Sequence, residues 1–322
     1  MALICGIDEA GYGPLLGPLT LARVALEVPE PDADPWSLLD KAVSRTLGKR
    51  KGRLVVNDSK KLNVRSVGVV HLETSCLAFA GAADRDTTDV GLFFDGLHET
   101  SHRQLDHLPW YAPTQEQPWQ PLPTALTEGE LAIARSMLRT AMASAGISVR
   151  DMAVSLVFED AFNDLVRKTH SKASASFTYV ARHLMAIWRD LGQEQPVVVI
   201  DRQSGRTRYR ELIAMLLPDA TIRVLDESPE RSAYHVREGD RSMTLGFETK
   251  ADGNHFPVAL ASMLAKYSRE LMMERLNGWF TRQLPDLTPT AGYAVDGRRF
   301  VNDITPHLPA MGIETNQICR IA

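Results

Sequence analysis

The chain of 322 residues predicts an α/β fold: a mixed sheet flanked by helices. Three observations carry this reading. Two apolar runs, residues 2–8 and 19–28, stand on either side of a Gly/Pro-rich turn, as antiparallel strands do. "PVVVID" (196–201) is a short continuous apolar run, the pattern of a strand buried on both faces. Helical and strand patterns then alternate through the rest of the chain.

In chain order, Pro29 to Pro35 ends the second strand, and a helix is expected over about 36–48. "RLVVNDSKKL" gives a short strand with Asp58 or Ser59 as the cap of a following helix. Residues 84–126 are rich in Pro, Gln and aromatics and show no sustained period. They predict an insertion or long surface loop outside the core. "TEGE" (127–130) has capping-box spacing. Leu131, Ala134, Leu138, Ala141 and Ala145 then share one helical face, and Gly146 suits its stop. A strand at 152–158 and a helix at about 174–191 follow, the helix carrying Phe177, Val180, Leu184 and Trp188 on a stripe. "TIRVLDE", "AYHVRE" and "SMTLGFETK" predict three more strands, with a hairpin at "REGDRS". A long helix is expected from Pro257 to about Phe280.

Hydrophobic content of 44% and charged content of 24% are those of an ordinary globular protein. A net charge of −4 gives no support to bulk electrostatic binding of nucleic acid, although a local patch would suffice. The three cysteines are odd in number and lack CxxC spacing, which argues against a disulfide scaffold or a thiolate zinc site. The apolar N-terminal run is too short for a signal peptide, and no apolar stretch is long enough to span a membrane. A soluble cytoplasmic protein is the expectation.

Acids recur where elements end: Asp8 and Glu9 after the first strand, Asp201 after "PVVVI", and Asp252 before the long helix. In α/β sheets, sites gather where strands end. Carboxylates converging there would need cations between them, and an all-oxygen set suits Mg²⁺ or Mn²⁺. Two such ions form the clamp used to hydrolyse phosphodiesters. Each acid taken singly also reads as a cap or an exposed end residue. Neighbours on a strand point to opposite faces, so Asp8 and Glu9 reach one ion only if the backbone bends there. The Gly11-Tyr12-Gly13-Pro14 stretch offers such a bend.

"GIDEAGYGPLLGPL" (6–19), "NDSKKL" (57–62), "VVVIDRQSGR" (197–206), "KADGNHFPVALASMLAKYSRE" (250–270) and "AGY" (291–293) together resemble the blocks of the ribonuclease HII family, in family order. The resemblance implies a single ribonuclease H-like domain over 1–322 with a helical C-terminal part from about 257. It implies an endonuclease that hydrolyses the RNA strand of RNA–DNA hybrids, or nicks duplex DNA 5′ to an embedded ribonucleotide. Asp8, Glu9, Asp201 and Asp252 stand at its four catalytic, metal-binding positions, with two divalent cations as cofactors. Gly11, Tyr12 and Gly13 occupy the tripeptide that contacts the ribose 2′-OH, and Tyr293 takes the place of a tyrosine that stacks on the sugar. Asn57, Ser59, Lys60 and Lys61 fall in the block near the phosphates. Three departures stand out: Tyr12 replaces the usual arginine, Ala251 replaces a glycine, and the chain is longer than a typical member. A nucleic-acid-binding protein of the same fold without cleavage is the alternative.

Two further signals compete with this reading. "HETSH" (98–102) fits His-Glu-x-x-His and would make His98 and His102 zinc ligands of a peptidase, with Glu99 as base. The extended pattern fails, because Leu105 and Leu108 stand where Gly and His are needed. Solvated loop residues are the competing reading. Trp110, Tyr111 and Trp119 could stack on nucleic acid; a loop packed onto its own domain explains them more simply.

Overall fold

The structure, a computed structural model, describes residues 1–47, 52–62, 68–97, 105, 107–202 and 205–321. The first hairpin is as the sequence predicts. Strand β1 (Ala2–Ala10) pairs antiparallel with β2 (Leu19–Val28), and the turn between them carries Gly11, Gly13 and Gly17. The helix expected over 36–48 is only α1 (Pro35–Leu38). Asp34 caps it and Pro35 opens it, but the apolar residues beyond Leu39 go elsewhere. Val43 and Ser44 form β3 (Val43–Ser44), which pairs in parallel with β4 (Leu54–Val55), and Trp36 donates its indole N–H to the Val56 carbonyl.

Helix α2 (Ser59–Leu62) starts at the NDSK block, where the Asp58 side chain accepts the Lys60 N–H. Helix α3 (Val70–Ala82) was not legible in the sequence; nearly every residue of its last two turns is buried, which leaves no polar face to mark the period. The 84–126 stretch is no surface loop. It contains α4 (Val90–Leu97), and Leu105, Leu108, Trp110, Tyr111 and Leu122 lie in the main hydrophobic cluster. Its apolar residues enter the core one at a time rather than along a face, so no period appears. The complete burial of Trp110 and Tyr111 excludes them as stacking platforms for nucleic acid.

Helix α5 (Glu128–Ala145) has the expected Thr127–Glu130 capping box and a left-handed Gly146 stop. Strand β5 (Ser148–Val157) pairs antiparallel with β2. Helices α6 (Glu159–Thr169) and α7 (Lys172–Leu191) follow. Strand β6 (Val197–Asp201) lies parallel to β1, then α8 (Arg210–Leu216) leads to β7 (Thr221–Glu227). The β8 (Arg231–Glu238) to β9 (Arg241–Glu248) hairpin turns at Gly239, and β9 runs parallel to β6. The long helix is α9 (Phe256–Gln283), followed by α10 (Ala294–Ile304) and α11 (Thr315–Ile318). The seven-stranded sheet has the order β5-β2-β1-β6-β9-β8-β7. One of its faces packs on α7 and the other on α9, so β1 and β6 are central and covered on both sides. Among the described residues, no helix is long and apolar enough to cross a membrane.

Candidate active site

The acids come together through strand register. β1 and β6 run parallel with Ile7 opposite Ile200, so Asp8 and Asp201 lie level at the ends of adjacent strands. Side chains alternate along a strand. Leu3, Cys5 and Ile7 enter the cluster beneath α7, while Gly6 meets α9, which places Asp8 on the α9 face. Val199 packs with Ala251 and Val258, and this puts Asp201 on the same face. Asp252 reaches it from the single 3-10 turn, Ala251–Gly253, that precedes α9. The same turn donates the Ala251 N–H to Asp201 Oδ1 at 2.7 Å.

Gly6 makes this approach geometrically feasible. A Cβ there would lie 2.2 Å from the Val258 nitrogen and 2.3 Å from the Pro257 carbonyl carbon. The N-terminal turn of α9 therefore sits directly on β1, two residues before Asp8. Its dipole presents a positive end to the acids.

Glu9 does not join the other three on that face. The strand continues unbent to Ala10, with Asp8 opposite Ala22 and Glu9 opposite Leu21, so Glu9 is half-buried toward the α7 side. The bend expected between the two acids comes only at Gly11, whose φ is +82°. A Cβ at Gly11 would also strike the buried Arg269 side chain at 2.6 Å. Asp58 takes a place that the sequence did not assign to it. Its carboxyl is hydrogen-bonded to that of Asp252, and its charge acts on both Asp252 and Asp201. The NDSK block marks the position, but there Asp58 reads only as a helix cap.

The electrostatics follow from this crowding. Burial, then the charges of Glu9 and Asp201, push the Asp8 carboxyl well above the usual range, against a hydrogen bond from Ser262. Asp201 is pushed up to about 6, chiefly by burial, with the Ala251 N–H pulling it down and the charge of Asp252 pushing it up. Asp252 is raised by burial and by Asp58, with Lys60 opposing. The donors are all carboxylate oxygens, and each ionised form is penalised by its neighbours. A divalent cation between them would remove that penalty, so the residues fit such an ion. As they stand, no three His, Cys, Asp or Glu side chains among the described residues are grouped so that they could hold a metal ion.

The remaining candidates surround the acids. Ser59 is buried and shares a 3.1 Å hydrogen bond with Ser262, which ties α2 to α9 beside Asp8. Asn57 donates to the Arg45 carbonyl, and its Oδ1 accepts the Asp58 N–H. Lys60 is exposed, and its charge reaches Asp201 and Asp252; Lys61 lies 3.8 Å from Asp58. Tyr12 is half-buried against the α7 cluster, and burial followed by Glu9 raises its hydroxyl. Gly13 is exposed with open space around it. Tyr293 is 41% exposed, and the Arg269 guanidinium lies 5.1 Å from its ring centroid. The Gly292 carbonyl accepts the Leu15 N–H at 2.9 Å, so Tyr293 stands beside the glycine turn. His255 directly precedes α9, with its Nε2 at 2.8 Å from Glu248, the residue opposite Asp201 in the β6–β9 register. His98, Glu99 and His102 lie outside the described residues.

Residues 217–301, which include Asp252 and Tyr293, match the family model described as Ribonuclease HII. No curated protein matches the chain. Solved structures similar to it include a chain of the PCNA:RNase HII complex from Archaeoglobus fulgidus. That likeness has 16% identity and a TM-score of 0.41, over 99% of this chain and 94% of the other. The ribonuclease H2 from Pyrococcus horikoshii OT3 is similar at 16% identity and a TM-score of 0.43, over 98% and 92%. Bst-RNase HIII in complex with Mn²⁺ is similar at 14% identity and a TM-score of 0.41, over 99% and 66%. With the sequence blocks in their order, the chain resembles the ribonuclease HII family as a long, divergent member that carries Gly-Tyr-Gly in place of Gly-Arg-Gly.

Proposed function

We propose that this protein is a metal-dependent endonuclease of the ribonuclease H type. It would hydrolyse the RNA strand of RNA–DNA hybrids or nick duplex DNA 5′ to an embedded ribonucleotide. The observation that carries the reading is the convergence of Asp8, Asp201 and Asp252 on one face beside the glycine turn, each raised by burial and neighbouring charge. Asp8, Asp201 and Asp252 would hold two Mg²⁺ or Mn²⁺ ions, with Glu9 completing the set by turning in from the α7 side. When bound, the ions supply Lewis-acid polarisation of the scissile phosphate.

The chain's own residues do the rest. The backbone N–H groups of Gly11, Tyr12 and Gly13 would meet a ribose 2′-OH, the group that separates RNA from DNA. The Tyr293 ring would pack against that sugar. Lys60 and Lys61 would hold backbone phosphates without reading sequence. We treat the whole chain as one ribonuclease H-like domain, with 84–126 as an insertion and a helical C-terminal part.

End-labelled duplexes incubated with Mg²⁺ or Mn²⁺ test the reading. One is an RNA–DNA hybrid, one carries a single ribonucleotide in DNA, and one is all DNA. The expected result is cutting of the first or second and not the third, abolished by Asp8→Asn and Asp201→Asn while hybrid binding persists. No cutting of any duplex in either metal, with binding retained, would replace the enzyme by a nucleic-acid-binding protein of the same fold.

A further inference from the structure

Four arginines follow Asp201 closely: Arg202, Arg206, Arg208 and Arg210, the last exposed at the start of α8. Their surroundings differ. The Arg202 guanidinium is committed to the fold, donating to the Pro229 carbonyl, to Ser232 Oγ at 3.0 Å and to the Ser228 and Phe247 carbonyls. The Arg208 side chain is 86% exposed and lies 3.8 Å from Glu227. Arg206 is half-buried, and its partners among the described residues are two rings. Its guanidinium carbon lies 5.6 Å from the Phe177 centroid and 5.9 Å from that of Tyr209.

Those rings form a stiff shelf. Tyr209 stacks on Phe247 with centroids 3.7 Å apart and planes 2° from parallel, and its N–H donates to the Tyr234 hydroxyl at 2.9 Å. Arg206 and Asp201 line the same small cleft over this shelf. A guanidinium beside an acid cluster would ordinarily pair with a carboxylate. This one is held on aromatic faces instead, which keeps its N–H fork available to another anion. A substrate phosphodiester entering next to several carboxylates meets net negative charge, and one fixed cation at that border offsets part of it.

We propose that Arg206, seated on Phe177 and Tyr209, is a phosphate-binding residue for a nucleic-acid backbone phosphate flanking the scissile bond. The proposal rests on the nuclease reading above. Arg206 grips the strand on the β6–α7 side of the acids, opposite the side served by Lys60 on α2.

The experiment measures binding of a labelled RNA–DNA hybrid to Asp8→Asn protein over a range of salt, with cleavage by wild-type protein followed in parallel. Arg206→Ala is expected to weaken binding about tenfold and to reduce the slope of log Kd against log salt by about 1. Arg206→Lys, which keeps the charge but not the planar fork, should fall between. Arg208→Ala should change affinity less than about twofold, since a solvated surface charge contributes little. Unchanged affinity and slope in Arg206→Ala, with wild-type cleavage intact, would overturn the assignment alone. An equal loss in Arg208→Ala would also overturn it, by showing that bulk charge and not the shelf is at work. Absence of both hybrid binding and wild-type cleavage would overturn the nuclease reading and this assignment with it.

Discussion

Glu159 shows how a single buried carboxyl supports the glycine turn. It is fully buried; its Oε1 accepts the Gly17 N–H at 2.8 Å and the Tyr111 hydroxyl at 2.7 Å, while its Oε2 has no hydrogen-bond partner. Burial pushes its carboxyl up to about 7, against the Tyr111 hydrogen bond and the charge of Arg320. Tyr111, Arg320 and Cys319 are the titratable groups that face it. Because the folded value lies above the unfolded one, the protonated form's contribution is complete below about pH 4 and is lost as pH rises through about 7. Glu159→Gln fixes the neutral form. Urea denaturation should therefore show the wild type losing on the order of 3 kcal/mol relative to the variant between pH 4 and pH 8. A difference that stays constant with pH would sink this account. At this scale the sequence marked Asp8, Asp201 and Asp252, because acids at element ends stand out. It could not mark Asp58 or Glu159, whose partners lie far along the chain.

Among the elements, α9 organises the molecule. Its first turn sits on Gly6, its middle supplies Ser262 and Arg269, and farther along Arg275 binds the 84–126 stretch. The nearly buried Arg275 guanidinium donates to the carbonyls of Tyr111, Ala112, Gln117 and Pro118 at 2.7–3.1 Å. The buried Glu73 carboxylate on α3 fastens the stretch farther along, accepting N–H groups from Thr124 and Ala125 and the hydroxyl of Tyr267. Arg275→Ala should cost about 3–5 kcal/mol of stability by leaving buried carbonyls unpaired. Limited proteolysis should then cut first within 105–126, and cutting elsewhere would count against the clamp. The sequence revealed α5, α7 and α9 because each announces itself by a cap, a stripe or its length. It misread 36–48 and 84–126, where apolar residues are buried singly and polar contacts are made to backbone. No period records either arrangement.

For the whole molecule, the proposed metal site predicts that stability depends on divalent ions. Added Mg²⁺ or Mn²⁺ should raise the melting temperature at pH 7.5, by the equivalent of about 2.7 kcal/mol at a hundredfold excess over Kd. The gain should shrink at pH 5, where raised carboxyls hold protons that compete with the ion, and should vanish in Asp8→Asn. An equal gain in Asp8→Asn would place the ion elsewhere. The Arg320 N–H donates to the Leu15 carbonyl, and its guanidinium donates to that of Pro14, 306 residues away. Closing so long a loop is slow, because its entropy is lost before the contact forms. The segment that follows Asp8 and Glu9 thus acquires its final support only after residue 320 has been translated. A chain in which that contact has not yet formed would carry its N-terminal acids beside a turn that lacks this brace.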